Sequence, residues 1–492
     1  MHQHRHLRLA LATATAAALT GGLLTFAATT ATAADSFKVA KADFNGDGIG
    51  DVVASAPVAT VSGRTGAGQI VALYGSASGV TSAKRTTISQ NTSGVPGTAE
   101  AGDYFGYVTA YADFNGDGYD DLAVGTPYEK VGTDTDGGDL TILWGSKSGL
   151  TGKGVNVKDP APTSHDYWGS TLAAGDFDGD GKADLAVGSG ASTIYVYKGG
   201  FTTTGTSGGR TTVKAPIMSS GIGPINLTAG DVNGDGRTDL VVDGFETKTG
   251  IGWNTNYYVP GTASGLSAAP TKTLLPGTIT GIGDINGDGY GDIVSGAGWD
   301  SKTSDGTPYP VGAADGGKVN ITYGTASGPG STTGVTQNTG SVPGTSEKGD
   351  SFGWEIDLGD INGDGYQDLV VATAKEDISG VTDAGMVTVL YGSASGLNVS
   401  SGFQSFAQST AGVPGTDEKN DLFGLDVKLD DVTGDGKADL VVGSHENSGD
   451  GSVTYLPSNG KKITTTGSRA LSVTSVGVST AGAPQLGAVF AN

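Results

Sequence analysis

Residues 43–51 read Asp43-Phe44-Asn45-Gly46-Asp47-Gly48-Ile49-Gly50-Asp51. Oxygen-bearing side chains stand at positions one, three, five and nine, with glycine at six. The same pattern, D-x-[DN]-x-D-G-x-x-D with one Thr exception, starts again at Asp113, Asp176, Asp231, Asp284, Asp360 and Asp431, at spacings of 70, 63, 55, 53, 76 and 71 residues. One acidic turn can arise by chance. Seven in register are a repeat, and the repeat is the unit from which the fold is built.

Outward from each loop the sequence reads as strand. A short β-branched run follows every copy, at residues 52–53, 122–124, 185–187, 240–242, 293–294, 369–371 and 440–442. A second run with period-two alternation comes later, at 70–74, 140–144, 319–323 and 386–391, the mark of half-buried strands. Phe105-Gly106, Trp168-Gly169, Phe352-Gly353 and Phe423-Gly424 each open a strand eight residues before a loop. No segment has a helical period. A four-stranded antiparallel unit cannot bury both faces alone, so seven units pack face to face in a ring. The expected fold is all-β, a seven-bladed β-propeller over residues 35–492. Its first strand is expected at 37–42. The tail at 484–490, with Leu486-Gly487 in the Phe-Gly place, is expected to latch the ring against blade one.

The loop chemistry points to calcium, a hard cation that takes six to eight oxygens. In the first loop the ligands would be Asp43, Asn45, Asp47, the carbonyl of Ile49, and Asp51. The corresponding sets are Asp113, Asn115, Asp117, Tyr119 and Asp121; Asp176, Asp178, Asp180, Lys182 and Asp184; Asp231, Asn233, Asp235, Arg237 and Asp239; Asp284, Asn286, Asp288, Tyr290 and Asp292; Asp360, Asn362, Asp364, Tyr366 and Asp368; and Asp431, Thr433, Asp435, Lys437 and Asp439. The position-seven residue lends its carbonyl in each set. Up to seven Ca2+ are expected, the last site being the loosest because Thr433 is the weaker ligand. No Glu follows at position twelve and strands flank the loop, so it is not an EF-hand.

Phe-Gly, then this aspartate loop, then a strand ending in small residues such as those at 54–57 or 125–127, resembles the FG-GAP repeat of integrin α-chain propellers. The resemblance runs over essentially the whole chain after residue 34. It implies a seven-bladed propeller with calcium in the turns between the first two strands of blades. The chain departs from the pattern in two places: Gly223-Pro224 and Pro276-Gly277 stand where repeats four and five would carry Phe-Gly. It contains no Arg-Gly-Asp.

Composition narrows the function classes. The 492 residues include 86 Gly and no Cys, which excludes disulfide staples and thiolate metal sites. With 51 Asp+Glu against 28 Lys+Arg the formal charge is −23, which argues against nucleic acid as a partner. At positions one, three, five and nine the metal loops hold three aspartates in six copies and four in the copy at Asp176, making 22 of the 51 acidic residues. Residues 1–34 read as a signal peptide: a basic start with Arg5 and Arg8, an apolar run, then Ala31-Thr32-Ala33. Its removal takes the formal charge from −23 to about −25 and leaves no run able to span a bilayer. The expectation is a secreted bacterial protein, extracellular and monomeric.

Ligand binding is expected on the face opposite the aspartate loops, where the longer connections gather. The candidates there are Trp299, Asp300 and Tyr309 in one long loop, Tyr128 and Glu129 in another, and Trp253. The ligand would be an extracellular glycan or protein, in a lectin-like or adhesion role. The alternative is a polysaccharide lyase or hydrolase, or an esterase, using loop-face carboxylates such as Glu129, Asp134, Glu376 and Asp377. Gly205-Thr206-Ser207-Gly208-Gly209 fits the G-x-S-x-G spelling but lacks the strand–turn–helix setting of a nucleophile elbow. His165, beside Asp166, reads as a surface residue.

Overall fold

In the computed structural model, residues 41–491 are described apart from Ser220 and Pro310. The signal peptide read at 1–34, and most of the strand expected at 37–42, lie outside the described residues. The chain forms seven antiparallel sheets arranged as the blades of a β-propeller. Blade two shows the plan: Val108–Ala112 is innermost, followed outward by Asp121–Thr126, Asp139–Leu143 and Gly154–Asn156. The innermost strands of blades three to seven are Leu172–Gly175, Asn226–Gly230, Ile279–Gly283, Phe352–Gly359 and Val427–Asp430. Among the described residues the one helical segment is the turn Glu446–Gly449. The middle strands are buried on both sides, as in Leu369, Val370 and Val371, because each blade is covered by its neighbours.

The Phe-Gly corner is an inter-blade joint. Backbone N–H groups of Phe105, Trp168, Phe352 and Phe423 donate to the carbonyls of Ala67, Gly137, Gly316 and Ala384 in the preceding blade, at 3.1, 3.0, 2.8 and 2.8 Å. The receiving surface is glycine for a steric reason: a Cβ at Gly68 would lie 2.3 Å from the backbone N and O of Phe105. The residue just before each corner has positive φ, at Tyr104 (57°), Tyr167 (60°), Ser351 (65°) and Leu422 (50°). Blades four and five, without Phe-Gly, still form four-stranded sheets.

The C-terminal tail repeats this joint at the seam. Gln485 has φ 58°, Leu486 N–H donates to Asp450 O at 3.0 Å, and a Cβ at Gly451 would meet the Leu486 backbone at 2.4 Å. The tail then pairs with blade one's Val52–Ala56: Gly487 N–H donates to Ser55 O (2.9 Å), Ser55 N–H to Val489 O (2.8 Å), and Ala491 N–H to Val53 O (3.1 Å). Ala42 bridges Asp51, but the edge from Val53 to Ser55 belongs to the tail. Leu486 and Phe490, each 1% exposed, enter one core with Val52, Val71, Val441 and Val453, fusing blade seven to blade one.

Candidate functional site

The aspartate loops lie between the first two strands of each blade and share one internal geometry. In the loop at Asp113, its carboxylate accepts the N–H groups of Gly116 (2.7 Å), Asp117 (3.1 Å) and Gly118 (2.9 Å), curling the turn around position one. Position nine anchors the turn to the sheet: Asp121 accepts from Phe114 N–H at 3.1 Å and from Gly145 N–H, past the third strand, at 2.8 Å. Asp51, Asp184, Asp239, Asp292 and Asp368 make the same pair of contacts. Sequence reasoning took position nine as a ligand and missed that it is also the staple of its blade.

A second feature was not legible at all. The position-eight N–H of one loop donates to the position-one carbonyl of the loop before it: Asp120 to Asp43, Thr238 to Asp176, Gly291 to Asp231, Gln367 to Asp284, Ala438 to Asp360, and Gly50 to Asp431, at 2.8 to 3.1 Å. The loops are thus linked blade to blade, and the last of these bonds crosses the seam.

The donor set fits a hard divalent cation. Carboxylates crowd together with little basic compensation, and burial with neighbouring aspartate charge pushes Asp51 and Asp121 up to about 8, and Asp184, Asp292 and Asp368 to about 7. Asn115 Oδ1 at position three and Asp439 Oδ2 at position nine are buried without a hydrogen-bond partner, as expected of atoms that face a metal. In blade three, carboxylate oxygens of Asp176, Asp178 and Asp184 lie within 4.8 Å of one another. There Lys198 Nζ sits 2.6 Å from Asp178 Oδ2 and competes for that ligand.

On the opposite face the structure sorts the sequence candidates into two groups. Tyr309 lies between Trp253 and Trp299, with ring centroids 4.8 and 5.6 Å away. Ile251 and Val311 flank this trio in sequence and are 59% and 58% exposed. Trp299 Nε1 is out of water and has no acceptor. Tyr128 belongs to a separate cluster, with Tyr104 and Tyr167 at 5.3 Å and Tyr107 at 5.9 Å. Asp300 and Glu129 are not free carboxylates. Asp300 Oδ1 accepts the Gly316 and Gly349 N–H groups at 2.9 and 3.3 Å. Glu129 accepts from Gln90 Nε2 of the neighbouring blade at 2.7 Å, and burial pushes it up to about 7. Gln337 donates to Glu376 at 2.8 Å in the same way, and Gln408 to Glu446.

Neither enzyme motif finds its setting. Ser207 Oγ donates to Gly209 O at 2.9 Å in a turn that opens the strand Gly209–Lys214. The His165 side chain is 2% exposed, not a surface group: it stacks on Trp168 at 5.9 Å, with Nε2 3.4 Å from Asp159 Oδ1.

Comparison with known proteins agrees with this architecture. The family described as FG-GAP repeat matches residues 37–73, 168–210 and 352–390, and the FG-GAP-like repeat matches 113–187. Phosphatidylinositol-glycan-specific phospholipase D of Mus musculus is 35% identical over 148 residues, covering 30% of this chain and 17% of that protein. Integrin alpha pat-2 of Caenorhabditis elegans is 29% identical over 232 residues, covering 40% of this chain and 18% of that protein. The chain therefore matches less than a fifth of either relative's length. The solved structure of the exotype rhamnogalacturonan lyase YesX superposes on 84% of this chain and 71% of its own, with 14% identity and a TM-score of 0.40.

Proposed function

We propose that this chain, a β-propeller built on FG-GAP repeats, is a secreted, calcium-stabilised module that binds an extracellular glycan through its loop face. The observation that carries the ligand reading is the Trp253–Tyr309–Trp299 trio, gathered from blades four and five. Aromatic faces stack on the apolar faces of sugar rings, and three such rings converge here. Binding is favoured over turnover because Glu129 and Glu376, two of the carboxylates considered for catalysis on this face, are each engaged by a glutamine.

Calcium is the metal of choice because the loops offer only oxygen ligands, among them the aspartates, asparagines and Thr433 of positions one, three, five and nine. Bound there, it neutralises carboxylates that otherwise repel one another and pins each turn. Secretion rests on the leader reading of residues 1–34, and no helix among the described residues is long and apolar enough to cross a membrane. A protein ligand is the second reading, favoured by the tyrosine cluster around Tyr128, where Tyr107 and Tyr128 are 43% and 39% exposed.

A glycan array run in calcium tests the proposal, with Trp299→Ala beside the parent chain. Selective glycan binding lost in the variant supports it. Binding that the variant retains, or product release from a bound glycan, refutes the assignment of this face as a lectin-like site.

A further inference from the structure

The channel along the ring axis is chemically two-sided. It is a cavity of about 660 Å3, within the size range of small-molecule sites. Along blades three to five its wall is apolar, with Leu172, Ala173, Leu227, Ala229, Ile279 and Ile282. Along blades six and seven it carries Glu355, Asp357, Asp426 and Lys428.

The bases present are already committed. Lys428 Nζ is 3.7 Å from Asp357 Oδ2 and 5.9 Å from the Tyr111 ring centre. At the aspartate-loop mouth, Lys41 donates to Gly48 O, Lys182 lies 3.7 Å from Asp180, and Arg237 lies 3.2 Å from Asp235. Among the described residues no ion pair joins Glu355, Asp426 or Asp430 to a base. Asp426 accepts the Val427 and Phe490 N–H groups at 2.6 Å each, and Lys428, already paired with Asp357, also acts on it, so one lysine faces three carboxylates on this wall. Carboxylates enclosed in this way are costly to keep ionised without a counter-charge.

Few ligands complement both walls. A hydrated metal ion answers the carboxylates but wets the apolar side, and a neutral hydrophobe leaves the carboxylates unanswered. An ammonium on a short aliphatic chain answers both. We propose that the channel is a binding site for a small primary alkylamine, its ammonium held by Glu355 and Asp426, and its chain lying against Leu227, Ile279 and Ile282. This site is independent of the loop face, and a ligand on either leaves the other free.

Isothermal titration of the full chain with hexylammonium chloride tests it, in saturating calcium so that the aspartate loops are filled. The expected result is saturable binding of one amine, at least tenfold weaker binding of hexanol, and none of hexanoate. Within a butyl-to-hexyl series affinity should rise about fourfold for each added methylene. Glu355→Gln should weaken the amine at least tenfold. If that variant does not fold, the chain-length series and the hexanol comparison on the parent chain still decide. Equal binding of hexanol and hexylamine, unchanged binding by a folded Glu355→Gln, or no saturable amine binding would each overturn the proposal.

Discussion

Phe490→Ala tests the closure of the ring at a single side chain. Phe490 is 1% exposed, packs in the core shared by blades seven and one, and sits on the strand that pairs with Val53 to Ser55. Removing a buried phenylalanine ring costs about 3–5 kcal/mol, from lost transfer energy and the cavity left behind. The conversion to temperature depends on chain size. At roughly 2.1 cal/mol/K per residue, a domain of about 450 residues unfolds with an entropy near 0.9 kcal/mol/K, so the melting temperature should fall by about 3–6 °C. Deleting residues 484–492 removes the corner at Leu486 as well and should lower it further. Differential scanning calorimetry in saturating calcium reads the effect, with Tyr107→Ala as an exposed control expected to stay within a degree. A Phe490→Ala melt that overlays the parent would show that the tail does not hold the ring, and the pairing with blade one would carry no stability.

Three further outcomes follow from the same contacts. Asp292→Asn replaces a carboxylate whose two oxygens accept the Ile285 and Gly324 N–H groups, leaving an amide group facing a donor; a loss of about 1–3 kcal/mol is expected in chemical denaturation even without calcium. In the channel, burial raises Glu355 and brings Asp426 to about 7, so both take up protons on folding. Stability from this pair is therefore present at low pH and falls as pH rises toward 7, by on the order of 1 kcal/mol per pH unit. Glu355→Gln should flatten that slope in melts from pH 5 to 8, and an unchanged slope would show that the pair does not titrate there. Trp299→Ala should weaken glycan binding at least tenfold in calorimetry while leaving the melting temperature nearly unchanged, since the ring is only partly buried.

Much of this architecture is written in the sequence because its local signals repeat. Seven copies of one loop locate every blade, and period-two runs such as 386–391 locate the strands between them. The tail at Leu486-Gly487 was legible for the same reason: it stands in the place of the corners at Phe105, Trp168, Phe352 and Phe423. What the sequence concealed depends on atoms brought together from distant positions. The edge of Val53 to Ser55 is taken by the tail from the far end of the chain, a pairing no local signal specifies. The carbonyl-to-amide links between aspartate loops involve only backbone, so no residue type announces them. Gln90 and Glu129 are 39 residues apart and meet only because adjacent blades pack. His165 looked exposed beside Asp166, yet Trp168 and Tyr195 enclose it. The glycines at 68 and 451 carried a usable signal, since each stands just before a third strand where the next corner docks.

Calcium in the aspartate loops is proposed to hold the propeller together. Melting the protein with chelator, and again with calcium restored, tests it most directly. A site with a dissociation constant of about 0.1 mM in 2 mM calcium adds about 1.8 kcal/mol when filled, and up to seven such sites act on one ring. The melting temperature should be lower by several degrees in chelator, recover fully on adding calcium, and not recover with magnesium at the same concentration. Superimposable melts with and without chelator would contradict it.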